Sequence, residues 1–98
     1  MKLSERVIKK KLKEQHNRCF YCGNILDKYE IDHILPKSKY KNGKTSNLCL
    51  CCLDCNRKKS NKYMYEWYNF VKKYYPEKLI RGLFFFDFIN LNKWKENL

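Results

Sequence analysis

Two Cys-x-x-Cys pairs constrain the fold of this chain more than any other feature of its sequence. Cys19 and Cys22 form the first pair, and Cys52 and Cys55 form the second, which begins 30 residues after Cys22. Four thiolates held in two tight turns can bind one tetrahedral zinc ion at about 2.3 Å. A chain of 98 residues has little room for a large hydrophobic core, so an ion that joins distant segments would add needed stability. The sequence therefore predicts a closed structural zinc site.

The other two cysteines leave the choice of zinc ligands open at one point. Cys49 and Cys51 lie in the apolar run LCLC, and we expect them to pack inside the protein as reduced thiols. Cys49 and Cys52 also have the Cys-x-x-Cys spacing, so the second pair could begin at either residue. We favour Cys52 with Cys55, because Cys55 adjoins Asn56 and a basic run that is expected to open a helix.

The expected compartment favours metal binding over disulfide bonds. The first 17 residues are charged throughout and lack the apolar run of a signal peptide. We therefore expect a reducing, cytoplasmic location, in which thiols bind metal ions and do not pair. The most apolar run, LFFFDFINL, is too short to span a membrane and contains Asp87, so no membrane partner is expected.

The charge of the chain points to an anionic partner. Its net charge of +12 comes from 22 Lys and Arg residues against 10 Asp and Glu residues. Nucleic acid is the first partner that such an excess suggests. An A/T-rich coding sequence would also enrich Lys, Asn, Ile and Tyr whatever the protein does, so charge alone does not establish nucleic-acid binding.

The pattern of apolar residues predicts a small α+β domain that spans residues 1–98. Ser4 is a candidate N-cap for a helix over residues 4–16, and two short strands are expected in YEIDHIL and LCLC, on either side of a polar loop. One helix is expected from Asn56 onward and before Pro76, because apolar and aromatic residues recur on one helical face, namely Tyr63, Trp67, Phe70 or Val71, and Tyr74. These elements predict a ββα core over residues 17–75.

The segment from Pro76 to the end of the chain, residues 76–98, is expected to be a helical extension of this core. Pro76 suits an early helical position, and Leu79, Leu83, Phe86 and Ile89 form one apolar stripe at helical spacing. The run FFFDF could instead form a strand. In both cases we expect its aromatic side chains to cover the core.

An acid, an imidazole and an amide between and beside the cysteine pairs suggest hydrolysis of phosphodiesters. This reaction needs a base to deprotonate water and positive charge at the phosphate. His33 is suited to be the base, and Asp32 and Asn56 can offer oxygen ligands to one Mg²⁺ or Mn²⁺ ion. Each residue has a structural alternative, such as a turn, a buried histidine or a helix cap. Their joint occurrence within the cysteine frame favours catalysis.

The pattern CxxC, DHIxPxS, NL and CxxCNxxK over residues 17–62 resembles the HNH endonuclease family. Its ββα-metal core also occurs in homing endonucleases, some restriction enzymes and the HNH domain of RNA-guided CRISPR nucleases. The resemblance implies that His33 is the general base, that Asp32 and Asn56 bind the catalytic ion, and that Asn47 holds the loop carrying His33. It also implies structural zinc ligands, namely Cys19, Cys22, Cys52 and Cys55.

This chain departs from the family pattern at two places. Asn56 stands where many relatives have histidine, as in the HNN variant, and an amide oxygen favours a hard ion such as Mg²⁺. The loop after Pro36 reads KSKYKNGKTS, where many relatives have a glycine pair. We expect this loop to alter substrate contacts without removing the chemistry.

The expected function is metal-dependent cleavage of DNA, with an RNA-cleaving nuclease and a non-catalytic zinc-finger module as alternatives. Basic residues near the predicted helix start and in the loop are expected to contact phosphates. They are Arg57, Lys58, Lys59 and Lys62, and Lys37, Lys39, Lys41 and Lys44. Few residues lie outside the core, so we expect weak sequence preference or dependence on a partner protein or a second subunit.

Overall fold

The computed structural model describes residues 3–34 and 47–81. They form a two-stranded antiparallel sheet, with one helix before it in the chain and three helices after it. Along the chain the elements are α1 (Glu5–Glu14), β1 (Glu30–His33), β2 (Leu48–Cys51), α2 (Leu53–Lys59), α3 (Met64–Tyr74) and α4 (Pro76–Arg81). The α+β class, the two strands and the flanking helices are as the sequence predicts. The boundaries at residues 17 and 75 stay predictions.

Helix α1 is joined to the sheet by side chains that bind the backbone of β2. Ser4 caps the helix, since its hydroxyl accepts a hydrogen bond from the Val7 amide at 3.3 Å. At the other end, the Gln15 amide donates to the Leu50 carbonyl at 2.7 Å and accepts from the Leu50 amide at 3.1 Å. Lys11 donates to the Leu48 carbonyl at 2.8 Å. These bonds join α1 to the outer edge of β2, where the Leu50 carbonyl also accepts from the Phe20 amide at 3.0 Å.

The register of the two strands pairs the candidate residues of β1 with residues of β2, and alternation along β1 decides which of them share a face. Asp32 pairs with Cys49, and His33 pairs with Leu48. Because side chains alternate along a strand, Glu30 and Asp32 lie on one face of β1 and His33 lies on the other. The face with Glu30 and Asp32 is the one that contacts α2, as the bonds described below show.

The single helix predicted after Asn56 is wrong, because the structure has two. Helix α2 begins three residues before Asn56 and ends at Lys59. The next residue, Ser60, has a φ of 51° in the left-handed region, where a helix cannot continue. Helix α3 then begins with a capping box, in which Glu66 accepts from the Tyr63 amide at 2.9 Å. Trp67 is buried as the predicted face requires, whereas Tyr74 is 56% exposed.

Helix α4 begins at Pro76, as predicted. The rest of the expected extension, including FFFDF and the stripe residues Leu83, Phe86 and Ile89, lies outside the described residues. Within the described part of the chain, no helix is both long and apolar enough to cross a membrane.

The buried core joins the first cysteine turn to β2 and α3. Tyr21 and Trp67 are both fully buried and meet edge to face, with ring centroids 5.7 Å apart. Cys49 and Cys51 of β2 are buried beside them, as predicted for the LCLC run. Three cysteines of the two turns, Cys19, Cys22 and Cys55, therefore belong to this core.

Candidate metal centre and catalytic residues

Four cysteines form a cluster with the geometry of a zinc site. The Sγ atoms of Cys19, Cys22, Cys52 and Cys55 all lie within 4.8 Å of one another, and those of Cys22 and Cys52 are 3.9 Å apart. A zinc tetrahedron with bonds of about 2.3 Å places its sulfur atoms about 3.8 Å apart. Cys49 lies outside the cluster and donates from its thiol to the Tyr21 hydroxyl at 3.4 Å, so the second pair is Cys52 with Cys55.

Backbone amides support this cluster of sulfur atoms. The amides of Tyr21, Cys22 and Cys52 donate to Cys19 Sγ at 3.4 to 3.5 Å, and the Cys55 amide donates to Cys52 Sγ at 3.4 Å. Hydrogen bonds from Cys19 lower the pKa of Cys22 to about 7 and lower that of Cys52 further. Contacts with neighbouring thiols raise the pKa of Cys19 and of Cys55. A divalent cation would allow all four to be thiolates, so the donor set fits zinc.

Lys78 of α4 adds a positive charge next to the cysteine cluster. Its ammonium lies 3.0 Å from an Asp54 oxygen and 3.7 Å from Cys55 Sγ. Burial lowers the pKa of Lys78, but the hydrogen bond to Asp54 and the charge of Cys55 outweigh it, so the pKa is raised overall. A protonated Lys78 would offset part of the negative charge of a zinc tetrathiolate. No motif marks this residue, since it is 23 positions from Cys55.

Asp32 is buried, and two side chains contact the same oxygen of its carboxylate. Its Oδ2 accepts from the Tyr21 hydroxyl at 2.5 Å and lies 3.0 Å from the Lys59 ammonium. Burial is the main reason that the pKa of Tyr21 is raised, so the phenol remains a donor. These contacts place Asp32 between the first cysteine turn and α2.

The same contacts correct the sequence-based expectation for Lys59. Its side chain is fully buried, pairs with Asp32, and also donates to the His33 carbonyl at 2.8 Å. An ammonium in this position cannot reach a phosphate on a bound nucleic acid. Lys59 instead links α2 to two successive residues of β1, and a charged run in the sequence does not distinguish this role from a solvated face.

Asn56 faces β1 from α2, where Glu30 fixes its amide. The nitrogen of the Asn56 side chain donates to a Glu30 carboxylate oxygen at 2.5 Å. With the nitrogen committed to Glu30, the amide oxygen is the atom that can serve a cation. Carboxylate and amide oxygens are suitable ligands for Mg²⁺, so Asp32 and Asn56 fit the expected ion. Glu30 is a further site residue, and no motif in the sequence marks it.

His33 and Asn47 lie at the end of the sheet where β1 ends and β2 begins. His33 is half-buried and ends β1, and Asn47 is almost fully buried and comes directly before β2. The Asn47 carbonyl accepts from the amide of Ile34, the residue after His33, at 2.8 Å. This contact belongs to the main chain, so the roles expected for the two side chains stay predictions.

The other basic candidates differ in what they contact. Arg57 is exposed, whereas Lys58 forms an ion pair with Asp54 along α2 and Lys62 lies 4.6 Å above the Phe70 ring. The predicted loop contacts lie outside the described residues, namely Lys37, Lys39, Lys41 and Lys44. Phosphate contact by all of these residues stays a prediction.

Comparison with known proteins shows that these features are similar to those of one family. Residues 19–65 match the family model of the HNH endonucleases. This range includes both cysteine pairs and both candidate ligands of the catalytic ion, Asp32 and Asn56. Among the solved structures, four chains match, including the Type II-C Cas9 enzyme from Actinomyces naeslundii. That match has 33% sequence identity and a TM-score of 0.58, and it covers 64% of this chain and 7% of the Cas9 chain. No curated protein matches this chain.

Proposed function

We propose that this chain, whose residues 19–65 match the family model of the HNH endonucleases, is a divalent-metal-dependent nuclease that hydrolyses phosphodiester bonds of DNA. His33 is the general base, Asp32 and Asn56 hold the catalytic ion, and Asn47 orients His33. Zinc bound by the four clustered cysteines has a structural role. The Cas9 chain is matched over only a small share of its length, so its whole activity is not carried over.

The observation that carries the proposal is a pair of bonds that join β1 to α2. Glu30 binds the side chain of Asn56 at 2.5 Å, and Asp32 pairs with Lys59 at 3.0 Å. Asp32 and Asn56, which are 24 positions apart in the sequence, are thereby held on facing surfaces. Side chains fixed in this way can bind an ion without first being ordered, which is what a catalytic metal site needs.

The proposed reaction divides its tasks among the residues of β1 and α2. The bound ion would polarise the phosphate and stabilise charge on the leaving oxygen. Asp32 and Asn56 would hold the ion and thereby orient the phosphate, and His33 accepts a proton from the attacking water. Water adds to phosphorus as the bond to the 3′ oxygen breaks. The 3′ oxygen takes up a proton from solvent and leaves as a hydroxyl, and the other product keeps a 5′-phosphate, as the resemblance to the family implies.

The charge of the chain supports a nucleic-acid substrate. The net charge of +12 attracts a polyanion, and exposed Arg57 lies one residue from Asn56. We propose that these contacts bind the DNA backbone with weak sequence preference, and that a partner protein or second copy supplies further specificity. We also propose a reducing, cytoplasmic setting, which keeps the zinc-binding thiols available.

Cleavage of matched DNA and RNA substrates tests this function. Zinc-loaded protein is expected to cut end-labelled DNA in Mg²⁺, to leave it intact in EDTA, and to cut RNA of the same sequence more slowly. Single strands and duplexes of both kinds are compared on denaturing gels. Equal or faster cleavage of RNA would contradict the DNA assignment, and binding of every substrate without cleavage would favour the zinc-finger module.

A further inference from the structure

Tyr21 is in direct contact with both the cysteine cluster and Asp32. It lies between Cys19 and Cys22 in the first cysteine turn, and its amide donates to Cys19 Sγ at 3.4 Å. Its hydroxyl donates to Asp32 Oδ2 at 2.5 Å. One residue therefore joins the structural metal site to a candidate ligand of the catalytic ion.

The packing around Tyr21 leaves its hydroxyl little freedom to move. The residue is fully buried, and its ring meets Phe20 and Trp67 edge to face, with centroids 5.3 and 5.7 Å away. Cys49 donates to the same hydroxyl at 3.4 Å. A buried hydroxyl needs a polar partner, but a core tyrosine could find one in a backbone carbonyl. Here the partner is the carboxylate next to the predicted base, His33.

We propose that Tyr21 is a positioning residue for Asp32. The Tyr21 hydroxyl and the Lys59 ammonium both contact Oδ2, and together they fix the orientation of the carboxylate. We assign the other oxygen, Oδ1, to the catalytic ion. Folding of the first cysteine turn around zinc then sets the position of a ligand of the second ion. This inference rests on the proposed function and adds a route by which the two metal sites are coupled.

The hydroxyl of Tyr21 is expected to matter for the catalytic ion more than for the fold. Replacement of Tyr21 by phenylalanine keeps the ring packing and removes only the bond to Asp32. Loss of a hydrogen bond to a metal ligand typically weakens metal binding by roughly 10- to 100-fold. We expect Tyr21→Phe to raise the Mn²⁺ dissociation constant and the Mg²⁺ midpoint for cleavage within this range, while saturating Mg²⁺ restores most of kcat.

The test measures Mn²⁺ binding to zinc-loaded protein by electron paramagnetic resonance, with no cleavage step. Tyr74→Phe is the matched control, because it also removes one tyrosine hydroxyl, but from a residue of α3 that is 56% exposed. Zinc content and cooperative unfolding are measured for each variant. Weakened Mn²⁺ binding in Tyr21→Phe alone, with one equivalent of zinc retained, supports the proposal.

Two outcomes would overturn the positioning role. One is unchanged Mn²⁺ affinity in Tyr21→Phe, and the other is an equal loss in Tyr74→Phe. Failure of the proposed function has a different signature, since the wild type would then bind Mn²⁺ without cutting DNA. In that case a weaker Mn²⁺ affinity in Tyr21→Phe would still support the contact between Tyr21 and the ion-binding carboxylate.

Discussion

Replacement of Cys52 by serine is expected to abolish zinc binding and to unfold the chain. Cys52 provides one of the four clustered thiols and also caps α2, where its sulfur accepts from the Cys55 amide. Binding of structural zinc releases about 10–16 kcal/mol in zinc-finger peptides. The total stability of a domain is typically about 5–15 kcal/mol, so loss of this ion removes an amount comparable to the whole.

Zinc content and far-ultraviolet circular dichroism measure this effect together. Cys51→Ala is the matched control, because Cys51 is fully buried in β2 but lies outside the cluster. The control is expected to keep one equivalent of zinc and a cooperative unfolding transition. A Cys52→Ser protein with a full equivalent of zinc and the unfolding midpoint of the wild type would contradict the assigned ligand set.

Replacement of Asp32 by alanine is expected to impair both stability and cleavage. The side chain of Lys59 is fully buried and pairs with Asp32, so this change leaves an ammonium in the core without its carboxylate. Removal of one partner of a buried ion pair typically costs about 3–5 kcal/mol. The same change removes a proposed ligand of the catalytic ion, so cleavage is expected to fall to background.

A second change separates these two effects of Asp32. Lys59→Met replaces the buried ammonium with an apolar chain of similar length, so Asp32→Ala combined with Lys59→Met is expected to recover most of the lost stability. Cleavage is expected to remain absent, because the carboxylate is still missing. Urea unfolding and plasmid cleavage of all four proteins give the two readouts. Recovery of cleavage in the double variant would contradict the role of Asp32 as a ligand.

The sequence predicts the zinc ligands and the two strands because local spacing determines both. The two Cys-x-x-Cys turns need only residue type and separation, and the strands lie in two short runs, YEIDHIL and LCLC, on either side of a polar loop. The break between α2 and α3 could not be predicted in this way. Residues 57–62, RKKSNK, contain no glycine or proline, so the positive φ of Ser60 has no sequence signal.

Contacts between distant segments account for the rest of what the sequence did not reveal. Lys59 stands in a basic run, and only its place opposite Asp32 on β1 makes it a buried ion-pair partner. Glu30 precedes the predicted motif residues, but its bond to Asn56 depends on the packing of α2 on β1. Lys78 reaches the cysteine cluster from α4. Each of these depends on tertiary packing, which periodicity and motif spacing do not encode.

Cleavage of supercoiled plasmid by zinc-loaded wild type and His33→Ala, in Mg²⁺, Mn²⁺ or EDTA, tests whether this chain is a metal-dependent nuclease with His33 as its base. His16→Asn is the matched control, because His16 is the other histidine of the chain and its φ of 54° suits asparagine. We predict nicking that depends on a divalent ion and that His16→Asn retains. In a folded, zinc-bound His33→Ala protein, the nicking rate is expected to fall by about 10²- to 10⁴-fold. DNA binding without nicking, or nicking that His33→Ala leaves unchanged, would contradict the account.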